Sequence, residues 1–299
     1  MGIKKASALT ATSTSTLSAG GASTGPAFIT ATSNGTVTTF GNYTIHTFLS
    51  SGTFTVTAGI NKAIEYLIVA GGGGGTSGGG TNGPGSGGGA GGFIESYAGQ
   101  VFGSDFSGPR IFVNKDDVFT ITIGAGGTNM STSPSAANKG VNSSIVGSVY
   151  SATALGGGSG GASSYYSQSQ HCNGGSGGGG NGSSNNFPYS AAGIAVAKPR
   201  QGYDGLDTTS GASGGGAGGS GTAGQNDGIN SGGPGRASSI TGSSVTYAKG
   251  GHGSFNTSAA PVVGPANSGQ GGGAGTSFSG GSVGKNGGSG IVIIRYLFQ

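Results

Sequence analysis

The sequence predicts an all-β fold: a jelly-roll-like β-sandwich with an inserted bundle of polyglycine II helices, preceded by an extended N-terminal arm. Three observations predict it. Several short segments alternate apolar with small polar residues, and none has the 3.6-residue apolar period of a helix. Residues 288–298, GSGIVIIRYLF, form a continuous apolar run, as expected of a strand covered on both faces. Between the strand segments lie blocks that are almost pure glycine.

Residues 1–50 are rich in Ser, Thr and Ala and have few large apolar side chains before Tyr43, so they read as an arm that needs a partner surface. Strands begin near residue 51. In GTFTVTAG, Phe54 and Val56 alternate with threonines. AIEYLIVA (63–70) follows, and FIES after the next glycine block marks the return to a strand. In DVFTITIGAGG (117–127), Val118, Thr120 and Thr122 face one way and Phe119, Ile121 and Ile123 the other. VGSVYSATALGGG and SSVTYAKGG are weaker strand segments ending near Leu155 and Tyr247. Because the last strand follows the last glycine block, residues 51–299 are expected to form one domain.

The glycine blocks are Gly71–Gly75, Gly87–Gly92, Gly156–Gly161, Gly174–Gly180, Gly214–Gly221, Gly269–Gly275 and Gly287–Gly290. Fixing glycine costs more backbone entropy than fixing any other residue, so an isolated block stays unordered. A left-handed helix with three residues per turn has no internal hydrogen bonds, and all its peptide groups point outward. Several such helices, with only glycine between them, can approach closely enough to bond sideways, with Cα–H···O contacts as second-order support. Five to seven residues then span roughly 15–22 Å at about 3.1 Å each, the length of an ordinary strand.

Composition narrows the function. With 74 glycines and 9 prolines but only 7% charged residues, the chain has neither the Gly-X-Y period of collagen nor the charge of a disordered segment. A net charge of +4, spread thinly over 12 basic and 8 acidic residues, supplies no phosphate-tracking surface, so nucleic acid is not an expected partner. The single cysteine, Cys172, excludes an internal disulfide framework. The N-terminal sequence lacks the apolar stretch of a secretory signal and no run is long enough to span a bilayer, so cytoplasmic synthesis without membrane insertion is expected.

EYLIVAGGGGG, GGGAGGFIES, FTITIGAGG and the final GGSGIVIIRY, in that order, resemble the glycine-rich domain of bacteriophage tail-fibre and tail-tip adhesins over residues 51–299. KDDVFTITIGAGG and the glycine tracts also have a more distant similarity to the extracellular glycine-rich domain of the anaplastic lymphoma kinase family, which bears on fold alone. The adhesin resemblance implies packed polyglycine helices whose intervening loops touch the host receptor. It also implies a virion location, with residues 1–50 meeting other virion proteins and the chain acting as a homo-oligomer.

On that basis the receptor-contacting candidates are the non-glycine insertions. SSYYSQSQHCN (163–173) and NNFPYSAAGIAVAKPRQGYDG (185–205) hold Tyr165, Tyr166, His171, Phe187, Tyr189, Arg200 and Tyr203. A third insertion holds His252 and Phe255. Aromatic faces beside amides and hydroxyls suit a glycan or an exposed protein loop. The same aromatics could equally cap a bundle that has no side chains of its own to bury.

No catalytic residue, cofactor or metal is expected. Gly-x-Gly-x-x-Gly recurs by chance at this glycine density and opens no helix, and Gly284-Lys285 is followed by Asn286 rather than Ser or Thr. His46, His171 and His252 are the available bases near neutral pH, and the acids are dispersed. Adjacent His171 and Cys172 make neither a dyad nor a closed metal shell. Asp204, Asp207 and Asp227 could offer oxygens to calcium, but the nonapeptide repeat of calcium-binding rolls is missing. The expected function is a non-enzymatic virion adhesin; the alternative is a capsid decoration, head-fibre or filament subunit without receptor binding.

Overall fold

The computed structural model describes residues 28–77, 85–97, 105–129, 138–161, 169–180, 200–205, 229–254, 261–275 and 283–298. In chain order the strands are β1 (Thr30–Ser33), β2 (Thr36–Phe40), β3 (Tyr43–Phe48), β4 (Gly52–Ala58), β5 (Lys62–Val69), β6 (Phe93–Ser96), β7 (Ile111–Val113) and β8 (Val118–Thr122). Then come β9 (Ser143–Val146), β10 (Ser151–Ala154), β11 (Ile229–Asn230), β12 (Arg236–Ser238), β13 (Val245–Tyr247), β14 (Gly253–Ser254) and β15 (Ile291–Leu297). A single helical turn, α1 (Ser169–Cys172), interrupts an otherwise all-β chain among the described residues.

Two antiparallel sheets face each other. One has the order β1-β4-β8-β9-β10; the other runs β2-β3-β15-β5-β6, with β7 pairing the start of β5. Phe54, Val56, Phe119, Ile121 and Ile145 of the first sheet meet Phe48, Tyr66, Ile68, Val292 and Ile294 of the second in the main core. β5 and β15 are buried on their other face too. Leu67, Val69, Ile291 and Ile293 pack there with Phe93, Phe106, Ile240 and Tyr247. This two-sided burial explains the continuous apolar sequence of β15.

Three strands come from the stretch read as an arm. β3 pairs with β15 along six residues, β2 flanks β3 at the edge of that sheet and β1 pairs with β4 at the edge of the other, so among the described residues the sandwich begins at Thr30 rather than at residue 51. Their apolar signal is sparse because β1 and β2 lie at sheet edges, and Ile29, Ile45 and Phe48 carry most of the burial. Gly41, with φ of +56°, makes the left-handed turn between β2 and β3.

Two polar groups inside the sheets are matched. His46 on β3 lies between the sheets, 1% exposed, with Nδ1 2.8 Å from Ser33 Oγ, Nε2 3.1 Å from Tyr296 Oη and its ring edge-on to Phe54. Arg295 interrupts the apolar run of β15 opposite Glu65; its Nε donates to Glu65 Oε2 at 2.6 Å, its Nη1 donates to the Ile240 carbonyl, and its guanidinium stacks over Tyr43.

Beyond the ends of β5, β6, β8, β10 and β15 the chain becomes the glycine bundle. Residues 70–77 form its central rod. Gly71 and Gly74 donate to the carbonyls of Val141 and Asn138, Gly72 and Gly75 to those of Gly288 and Lys285, and Gly73 and Thr76 to those of Gly89 and Ser86. Every third amide reaches the same neighbour, and each neighbour runs antiparallel. This is the three-residue turn of polyglycine II. The rod's carbonyls serve three more neighbours: Gly71 and Gly74 accept from Gly157 and Gly160, Gly73 and Thr76 from Gly272 and Gly275, and Gly72 from Gly127. The rod thus has six neighbours bonded around it.

The tract 85–92 repeats the arrangement one position outward, donating from Gly88 and Gly91 to Gly272 and Gly269, and from Gly89 and Gly92 to Gly158 and Leu155. Ser176 and Gly179 in turn donate to Ala90 and Gly87. Outer rods tolerate side chains on their solvent side: in 123–129, Ala125 and Thr128 are exposed, while Gly124 and Gly127 face inward. Of the expected glycine blocks, Gly214–Gly221 lies outside the described residues.

Candidate functional site

The rods leave the strands together and end together. At the end remote from the sheets, hydroxyl and amide side chains replace glycine and tie the rod ends to one another. Thr76 Oγ1 donates to the Gly161 carbonyl at 3.1 Å and accepts from the Ser86 amide at 2.8 Å; Ser86 Oγ donates to the Gly180 carbonyl at 3.0 Å. Asn129 donates through Nδ2 to the Gly284 carbonyl and through its backbone amide to Asn286 Oδ1, and Gly284 donates its amide to Ser77 Oγ. Thr76 and Ser86 are fully buried. A small hydroxyl fits where a larger side chain would force the rods apart, and it supplies a donor to carbonyls that have run out of neighbouring amides. From these described ends the chain departs into residues 78–84, 130–137, 162–168, 181–199 and 276–282.

Tyr165, Tyr166, Phe187, Tyr189 and Phe255 lie outside the described residues. The other four candidates are placed. His171 is exposed on α1, and its carbonyl accepts the Ser159 amide at 2.9 Å. The next carbonyl, of buried Cys172, accepts from Gly178. The His171-Cys172 pair therefore serves the bundle through its backbone. His252 is half-buried; its Nδ1 accepts from the Gly232 amide at 3.3 Å and its carbonyl from Ala274. Burial, with Lys249 nearby, holds its imidazole below the usual histidine range.

Arg200 and Tyr203 come together at the base of the bundle, against the second sheet. The Arg200 carbonyl accepts from Phe106, that of Gln201 from Phe93, and that of Tyr203 from Gly177. The Arg200 guanidinium lies 4.8 Å over the Tyr203 ring and 3.3 Å from Asp105. Tyr203 packs on Phe106 at 5.7 Å, and Arg236 covers the same Phe106 ring at 4.6 Å. Cations and rings alternate through the stack. Sequence reading missed its inner half, because Arg236 sits in a short polar strand and Phe106 in a loop.

Glu95 closes the stack. It is 2% exposed, and Arg236 Nε stands 3.7 Å from its carboxylate, an ion pair too long for a hydrogen bond at that nitrogen. Burial raises the Glu95 pKa above the usual range, while Arg236 and Ser238 pull it back. Arg236→Met is expected to destabilise the fold by about 2 kcal/mol near neutral pH, a figure reduced for the partial exposure of the arginine, because a buried charge loses its counter-ion. The loss should shrink as pH falls and Glu95 takes up a proton; urea unfolding at pH 8 and pH 5 measures it.

Among the described residues no group of three or more His, Cys, Asp or Glu could hold a metal ion, and no helix is long and apolar enough to cross a membrane. Of the calcium candidates, Asp204 is exposed and Asp207 and Asp227 lie outside the described residues.

Comparison with curated proteins finds no match. A family model described as a glycine-rich domain matches residues 47–297, from within β3 to the last residue of β15, and so takes in the described glycine rods and every strand from β4 to β15. The chain belongs to that family of glycine-rich domains.

Proposed function

We propose that the chain is a non-enzymatic virion protein, a tail-fibre or tail-tip adhesin in which the polyglycine bundle carries host-receptor-binding loops. The observation that supports this reading is the common far end of the rods. A hexagonally bonded bundle is stiff, and binding residues are best held on loops that leave a rigid scaffold. The segments departing there contain Tyr165, Tyr166, Phe187 and Tyr189, and the segment 255–260 contains Phe255. The receptor would be a glycan or a protein loop on the host surface; a binding role of His171 and His252 belongs to the same proposal, as does that of Arg200 and Tyr203, which stand at the base of the bundle and not at its far end.

The test uses labelled full-length protein and flow cytometry on a panel of bacterial strains. Wild type should stain a subset of strains, and the double variant Tyr165→Ala/Tyr166→Ala should stain them at least tenfold more weakly with an unchanged melting temperature. Equal staining by both proteins, or staining of no strain, counts against the reading.

One observation favours the structural alternative. The solvent face of the first sheet presents rows such as Thr32–Thr55–Val118 and Thr53–Thr120–Val146, without a charged residue on its strands. Interface centres are depleted of charge, so this face suits packing against another virion subunit. Deleting residues 1–27, which leaves β1 intact, separates the two readings. Loss of particle attachment with intact cell staining assigns the N-terminal segment to assembly and the loops to adhesion.

A further inference from the structure

At the pole opposite the bundle, the open end of the sandwich holds a cavity of about 330 Å³. It lies where β3 and β5 begin and β6 and β15 end. Its floor is Ile29, Ile64 and Tyr296, each at most 3% exposed. Phe28, Tyr97 and Leu297 stand at its mouth, each more than a third exposed. A mostly apolar cavity of this size, with a few polar groups at its edge, has the form of a binding site rather than a packing fault.

The rim sets the chemistry. Lys62 and Arg110 both line the cavity, both are exposed, and neither has an acidic partner among the described residues. The acid in the lining, Glu65, is committed to Arg295. The cavity thus combines an apolar floor with two uncompensated positive charges.

We propose that this cavity docks a segment of a partner protein that presents a bulky apolar side chain beside a carboxylate. The apolar group would fill the floor between the sheets, and the carboxylate would lie between Lys62 and Arg110, where charge-assisted hydrogen bonds are strongest. The chain's own first 27 residues do not meet this requirement: they contain no Asp or Glu and carry Lys4 and Lys5. They enter the described fold at Phe28, on the cavity rim, so the partner binds at the pole where the N-terminal segment joins the sandwich. The inference holds whether the far end of the bundle binds a receptor or not.

The test is methyl NMR on the full-length protein with two matched probes, the acetylated and amidated peptides Gly-Phe-Asp-Gly and Gly-Phe-Asn-Gly. The Asp peptide should shift the methyl resonances of Ile29 and Ile64 and bind at least tenfold more tightly than the Asn peptide, a difference of about 1.4 kcal/mol. Lys62→Gln/Arg110→Gln should abolish that difference while leaving the remaining methyl spectrum unchanged, since both side chains are exposed. Equal affinity for the two peptides overturns the proposal, as does the absence of shifts at millimolar peptide. Tighter binding of decanoate than of the Asp peptide, or contacts in the free protein between residues 1–27 and the Ile64 methyl, would also overturn it by naming a different occupant.

Discussion

Gly73→Ala is expected to destabilise the protein by about 3 kcal/mol or more, a fall in melting temperature on the order of 10 °C for a domain of this size. Gly73 lies in the central rod with neighbours on every side. A Cβ there would overlap the Gly158 carbonyl and also crowd that of Gly157. Relief requires these two rods to part, and parting them breaks the bonds from Gly157 to Gly71 and from Gly160 to Gly74, both 2.9 Å. Were the tract a flexible tether, the same substitution would be neutral or would stabilise by roughly 0.4–1 kcal/mol through the unfolded chain. The two descriptions therefore predict opposite signs. Ala125→Val, on the solvent side of an outer rod, is the control and should change stability by less than about 0.5 kcal/mol.

Acid should weaken the fold through His46. Burial lowers its pKa to about 4 in the native protein, against the ordinary 6.5 when unfolded. Above pH 6.5 the ring is neutral in both states and its contribution is complete. Between pH 6.5 and about 4 the unfolded chain binds a proton that the native state refuses, so stability falls, by about 3 kcal/mol in all. The lowered pKa of His252 acts in the same direction; Glu95, whose pKa is raised, acts in the opposite one. Comparing wild type with His46→Gln removes both contributions. The urea stability difference between them should be constant above pH 7 and should shift by about 3 kcal/mol in favour of the variant by pH 4. A difference independent of pH would show that His46 is not held neutral between the sheets.

What could be read from the sequence followed burial. β4, β8 and β15 were legible because each buries a full set of large apolar residues, on one face for β4 and β8 and on both for β15. β1 and β2 were not, since edge strands built from threonine look like a polar arm, and β3 hides the polar His46 among its buried positions. The rods of pure glycine were recognisable, but those at 123–129 and 138–142 were not counted as blocks. An outer rod needs glycine only where it meets another rod, so its sequence resembles a loop.

The candidate site was legible in part. Arg200 and Tyr203 were singled out as aromatic and basic residues in an insertion, and the structure joins them in one stack against Phe106 and Arg236. Nothing in their local sequence pointed to Glu95 or Asp105, which lie about a hundred residues away along the chain. The cavity between Ile29, Ile64 and Tyr296 was beyond reach for the same reason: its walls come from strands whose pairing sequence alone did not specify.

Amide hydrogen exchange at Gly72, Gly73, Gly74 and Gly75 in the intact protein tests the central claim most directly. Rods bonded to six neighbours should slow exchange by at least on the order of a thousandfold relative to a free peptide, in step with Leu67 to Val69 of β5. Exchange at the free-peptide rate in those four glycines, with β5 still protected, would contradict the account.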